Sequence, residues 1–254
     1  MVVVETAGDR QSTTPLQEIG GQGIFVKEVQ YALLEGDADL AVHSAKDLPG
    51  MTPADLELVA VPERLDPADV LVGRSLAGLG PGATVATGSP RRRALLGSIR
   101  PDLRLVELRG NMATRLASPG RDGIDAIVAA MAALIRLGAT DLVAERLDPE
   151  VVTPQVGQGA IAVEALAGSD AAMLAAAIDD VDEHRCVETE RAFLRAAGAG
   201  CTVPAGAWCS SVGGSLLIRA VAQGADGALR RAELQGDDPE RLGTAIADAV
   251  GLLR

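Results

Sequence analysis

Short apolar runs alternating with helical stretches fill the first two thirds of the chain, and this alternation leaves few folds open. The runs are ADLAVHS (38–44), LELVAV (56–61), DVLVG (69–73), ATVATG (83–88), RLVEL (104–108), DAIVAA (125–130) and GAIAVE (159–164). Helical stretches fall at 90–99, 111–118, 130–137 and 170–179. The pattern predicts the α/β class, with largely parallel sheets covered by helices. An earlier stretch, GIFVKEVQYALLEGD, places Phe25, Val29, Ala32 and Leu33 on one helical face, with Gly36 where the helix should stop. Only 2% of residues are aromatic, so the cores must be packed from Ala, Val, Leu and Ile.

A chain of 254 residues holds two or three domains at the usual size of about 100–150 residues. The proline-bearing stretches at 61–69 and 147–159 are the expected crossings between two α/β units. After residue 182 the pattern changes to one long helix, three short strands and a closing helix from about 238, which reads as a small α+β domain. The expected division is 1–62 with 159–179, then 63–158, then 180–254.

A formal net charge of −12 argues against nucleic-acid or anionic-membrane partners, because both need a basic surface. Three cysteines without a CxxC pair, and two histidines, indicate neither a disulfide framework nor a metal site. The first residues carry no targeting pattern and no apolar run is long enough to span a bilayer, so a soluble cytoplasmic protein is expected.

Three stretches carry chemistry. In ATGSPRRRALL a strand ends at Thr87, Ser89 is placed to cap a helix and Pro90 to begin it. Arg91, Arg92 and Arg93 then crowd the positive end of that helix, an arrangement that loses stability unless an anion answers it. ELRGNMATRL places Arg109 directly after another strand and Arg115 further along, facing the same crevice at the strand ends. Arginine forks suit carboxylates, so a polycarboxylate ligand is implied; Arg136 either joins them or is an ordinary surface arginine. In ADLAVHSAKDLPG, Ser44, Lys46 and Asp47 also follow a strand. The pair is either a surface ion pair or an anion anchor beside a carboxylate that steadies a developing cation. Cys201 lies in GAGCTVPAGAW between a helix and a strand and is either packed or an accessible thiol; Cys186 and Cys209 read as packing residues.

Together with GGQGIFVKEVQYALLEGDADLAVHSAKDLP, VGQGAIAVE and ERAFLRAAGAGCTVPAGAW, these stretches resemble the porphobilinogen deaminase (hydroxymethylbilane synthase) family, in its order and over nearly the whole chain. The resemblance implies two periplasmic-binding-protein-like α/β domains plus a small C-terminal α+β domain. It implies a monomeric transferase that joins four porphobilinogen units head to tail on a dipyrromethane cofactor held by a thioether to Cys201. Asp47 matches the catalytic aspartate, which stabilises the azafulvene cation left when ammonia departs. Ser44, Lys46, Thr87, Ser89, Arg91, Arg92, Arg109 and Arg115 match cofactor contacts. Arg136, Phe25 and Gln158 match substrate-side positions, Phe25 as a ring over the site and Gln158 in the interdomain GQG segment.

One departure stands out. The family opens with a strand and helix carrying an R-x-G-x-R-x-S-x-L-A type motif, which has no counterpart before Val2, and Thr6, Ala7, Gly8 and Asp9 replace the usual Thr-Arg-Gly-Asp. Loss of a central strand would leave an unpaired sheet edge and remove a site arginine. Two other readings stay open: an inactive truncated deaminase, and a noncatalytic binding-protein-like module that closes on an anionic small molecule.

Overall fold

A computed structural model describes residues 26–198 and 204–253. Phe25 and Cys201 lie outside the described residues. Helix α1 (Lys27–Leu34) buries Ala32 and Leu33 as the spacing predicts, and Gly36 ends it in the left-handed conformation at φ 78°. Strand β1 (Ala41–Ser44) follows and runs into a 3-10 turn, Ala45–Asp47. It shares a three-stranded sheet, in the order β1-β8-β2, with β2 (Leu56–Ala60) and β8 (Ile161–Leu166).

A second sheet contains β3 (Asp69–Val72), β4 (Thr84–Ala86), β5 (Arg104–Val106), β6 (Ala126–Ala130) and β7 (Val143–Arg146), in the order β5-β4-β6-β3-β7. Its helices are α2 (Pro90–Ile99), α3 (Met112–Leu116) and α4 (Met131–Arg136). Ser89 caps α2 and Asn111 caps α3, each accepting a backbone N–H, from Arg92 at 3.4 Å and from Thr114 at 2.9 Å. Leu71, Val85, Leu95, Leu96 and Val128 pack between this sheet and α2.

Helix α5 (Asp170–Ala175) leads to the long α6 (Val181–Ala196). An antiparallel meander of β9 (Ala205–Val212), β10 (Ser215–Gln223) and β11 (Leu229–Gly236) and a closing α7 (Pro239–Ala249) complete the described fold. Cys186 and Cys209 are buried in the core between α6 and the meander, as packing residues. No helix among the described residues is long and apolar enough to cross a membrane.

The expected parallel sheets are corrected. Among the described residues the only parallel pairings are β4 with β5 and β4 with β6; β1 and β2 run antiparallel to β8, and β3 runs antiparallel to β6 and β7. The reason is topological. After β2 and again after β7 the chain leaves one sheet for the other, so strands that alternate with helices in sequence need not be neighbours in one sheet. Strand β7 was not expected, because VAER alternates half-buried and exposed residues at a sheet edge.

The return crossing passes through Gly157 and Gly159, both at positive φ (72° and 95°). A Cβ on Gly157 would lie 2.6 Å from the carbonyl carbon of Ala45, and one on Gly159 would collide with the Leu65 oxygen. Only glycine lets this strand of chain pass between the Lys46 turn and the outgoing crossing.

Candidate active site

The 3-10 turn after β1, the entrance of α2 after β4 and the return crossing meet around one buried carboxylate, Asp69, the first residue of β3. Asp69 is fully shielded from water. Arg91 donates to it at 2.8 Å, Arg92 donates through Nε at 3.1 Å and a terminal nitrogen at 2.7 Å, and the Gln158 amide donates at 2.9 Å. Burial works against its charged form, yet Arg91 and then Arg92 overcome this and hold the carboxyl at about 2. Its folded pKa lies below the unfolded one, so the stability it gives is present above about pH 4 and lost as pH falls through about 2.

This answers the arginine run differently from the sequence expectation. The anion facing Arg91 and Arg92 is Asp69, and Arg93 pairs with Glu107 at 2.9 Å. Arg91 is buried, gives a further hydrogen bond to the Thr153 oxygen at 2.5 Å, and keeps its Nε–H without a partner. Burial lowers its pKa; Asp69 is shared with Arg92 and does not offset that cost. Arg92 also reaches the Val128 oxygen at 3.1 Å.

Lys46 lies at the same place: burial lowers its pKa first, the charge of Arg92 lowers it further, and Asp47 and Asp69 oppose them. Its backbone oxygen accepts from Gln155 at 3.0 Å. Asp47 presents its side chain to water, yet the protein around it is dense enough that burial raises its pKa, against the pull of Lys46 and His43. Arg115 is half-buried; burial and the charge of Arg92 lower its pKa, and its Nε donates to the Gly110 oxygen at 2.7 Å.

The remaining sequence candidates divide. Arg136 is exposed and donates to the Gly159 oxygen at 2.7 Å, which fixes it to the return crossing. Arg109 is exposed and 3.6 Å from Glu107, with no contact to the Asp69 cluster. Thr87 is buried, its hydroxyl accepting the Ser89 N–H at 3.3 Å, so both shape the entrance of α2. Ser44 is half-buried opposite Ile161 at the end of β1. Gln158 is buried and its amide is spent on the Pro67 oxygen, Asp69 and Arg92.

Sequence reading missed Asp69, although an aspartate opening a wholly apolar strand was a usable signal. It also missed Glu190 on α6, which is fully buried and accepts from Arg64 at 2.7 and 3.2 Å, from Gly157 N at 2.6 Å and from Cys209 N at 2.8 Å. Nothing local in VETERAFL distinguishes that residue. A recess of about 430 Å³ beside the Asp47 turn, between Gly50–Thr52 and α6, pairs Arg191 and Arg195 with Glu188 and Glu240. Arg191 and Arg195 are each paired with a glutamate there, although Arg191 keeps two buried N–H groups without a hydrogen-bond acceptor.

A profile of the porphobilinogen deaminase dipyromethane cofactor binding domain matches residues 1–175, and one of the porphobilinogen deaminase C-terminal domain matches 184–250. The chain belongs to the porphobilinogen deaminase family. Membership places it among the transferases of hydroxymethylbilane synthesis in tetrapyrrole and haem biosynthesis. Relatives named porphobilinogen deaminase include that of Roseiflexus sp. (strain RS-1), 45% identical over 253 residues, 97% of this chain and 84% of the relative. That of Xylella fastidiosa (strain M23) is 46% identical, over 98% of this chain and 84% of its own. That of Thermus thermophilus is 44% identical, over 97% and 83%. Among solved structures, the periplasmic VFT2 domain of Bordetella pertussis BvgS is 20% identical with a TM-score of 0.36, over 66% of this chain and 71% of that one, too slight a likeness to bear on function.

The residues present fit the family's dipyrromethane, whose rings carry carboxylates. The buried Nε–H of Arg91 lacks an acceptor, and the four cations Lys46, Arg91, Arg92 and Arg115 still outnumber Asp47, Asp69 and Glu107, the carboxylates acting on them.

Proposed function

We propose that this chain deaminates porphobilinogen and joins four units head to tail on a dipyrromethane held by a thioether to Cys201, releasing hydroxymethylbilane. The observation that carries the reading is the gathering of Lys46, Arg91 and Arg92 around one internal carboxylate, with Arg115 near Arg92 and Asp47, its pKa raised, beside Lys46. When bound, the dipyrromethane supplies the nucleophilic ring carbon to which units are added. Arg109 and Arg115 hold its acid groups through forked hydrogen bonds, the unpartnered Nε–H of Arg91 gives one more, and Arg92 and Lys46 add positive charge. Ser44, Thr87 and Ser89 shape the strand ends where these groups sit. Arg136, exposed at the return crossing, receives the acid groups of incoming porphobilinogen, Phe25 covers the ring, and Gln158 supports the site through Asp69 and Arg92.

Asp47 does the chemistry. As ammonia leaves porphobilinogen, positive charge develops on the substrate ring and its N–H, and the Asp47 carboxylate stabilises that charge. A carboxyl raised by burial also holds and passes a proton closer to neutral pH than an ordinary aspartate.

The three sheets support three domains, 1–62 with 159–179, 63–158, and 180–254. The net charge of −12 speaks against a nucleic-acid or anionic-membrane partner, and the reading is of a monomeric cytoplasmic enzyme. Incubation with porphobilinogen tests the function. The expected result is ammonia release with a linear tetrapyrrole that cyclises and oxidises to a porphyrin chromophore. Porphobilinogen left unconsumed by folded protein contradicts it.

A further inference from the structure

Asp69 lies outside every stretch that the sequence marked as functional, yet it contacts two of the proposed cofactor arginines at once. Its two oxygens divide the work: Oδ2 takes Arg91, and Oδ1 takes both Arg92 nitrogens and the Gln158 amide. Backbone oxygens complete the clamp, Thr153 on Arg91 and Val128 on Arg92. Gln158 sits between two glycines on the return crossing, and Gly157 is pressed against the Ala45–Lys46 peptide. The carboxylate therefore sets the spacing of both guanidiniums and ties them to the turn that carries Lys46 and Asp47. A plain buried ion pair would need one cation. Here one anion serves two, leaving a net positive charge and the buried Nε–H of Arg91 without a partner.

We propose that Asp69 is a positioning residue for cofactor and substrate, holding Arg91 and Arg92 in the register that receives ring carboxylates. This rests on the deaminase reading. A bound acid group meets guanidiniums already held by Asp69 and by backbone oxygens, so little side-chain freedom is lost on binding. Moving the Asp69 carboxylate by one methylene displaces both guanidiniums by an amount that costs on the order of 100-fold where carboxylates must be aligned.

The test uses Asp69→Glu, which keeps the charge and shifts its place, beside Asp69→Asn. After incubation with porphobilinogen, each protein is scored for dipyrrole mass per folded molecule, and the loaded fraction for KM and kcat. The expected result is that Asp69→Glu melts cooperatively but loads poorly, or loads with KM for porphobilinogen raised by about tenfold or more and kcat changed less. Loading and KM equal to wild type, per folded molecule, overturn the proposal whatever the melting temperature does. Asp69→Glu that cannot fold at low temperature also overturns it, because the residue is then a determinant of folding. Wild-type protein that never gains the dipyrrole defeats the underlying deaminase reading, a result distinct from either.

Discussion

Asp47→Asn is expected to load cofactor yet lose turnover by at least about 100-fold, because the amide can neither balance the developing cation nor carry the proton. The same substitution should not weaken the fold. The folded protein raises the Asp47 pKa, so ionising this group costs stability, a cost fully present above the raised value and absent below the ordinary value of 3.8. Asn removes the cost. Melting temperature should equal or exceed that of wild type at pH 7, with the difference closing in acid. Near-normal tetrapyrrole formation, or a melting temperature well below wild type at pH 7, would contradict the role and the environment assigned to Asp47.

The largest loss of stability is expected from Glu190→Gln. Glu190 joins α6 to Arg64 on the outgoing crossing, to Gly157 on the return crossing and to Cys209 on β9. Burial disfavours the Arg64 charge, and Glu190 more than offsets this and raises its pKa. With the carboxylate gone, a buried guanidinium stands uncompensated, which typically costs about 3–5 kcal/mol. Residue 201 lies in the connection between α6 and β9, so Glu190 ties both flanks of that connection to the segment bearing Gln158. Urea unfolding measures the effect. A loss below about 1 kcal/mol would mean the network is no more than a surface-grade ion pair.

Much of the architecture could be read from the sequence because it is locally encoded. The apolar run DVLV, the Ser89–Pro90 entrance and the glycine stop of α1 depend on neighbours a few residues away, and each appears where expected. Strand direction could not be read, since it depends on where the chain crosses between sheets. The site divides on the same line. Lys46, Asp47 and the arginines sit in short motifs whose chemistry is visible in place, whereas Asp69 and Glu190 gain their roles only through partners from 19 to 126 residues away. The arginine run shows both sides: its crowding at a helix N-terminus correctly demanded an anion, and only the fold could reveal that the chain supplies one itself.

The central claim is that a cationic crevice serves a pyrrole primer tethered through one thiol. Intact mass under denaturing conditions, for wild type and Cys201→Ser after incubation with porphobilinogen, tests it most directly. The account predicts wild-type protein heavier by a single dipyrrole and Cys201→Ser at its bare sequence mass. An unmodified wild type, or a serine variant that retains the added mass, would contradict it.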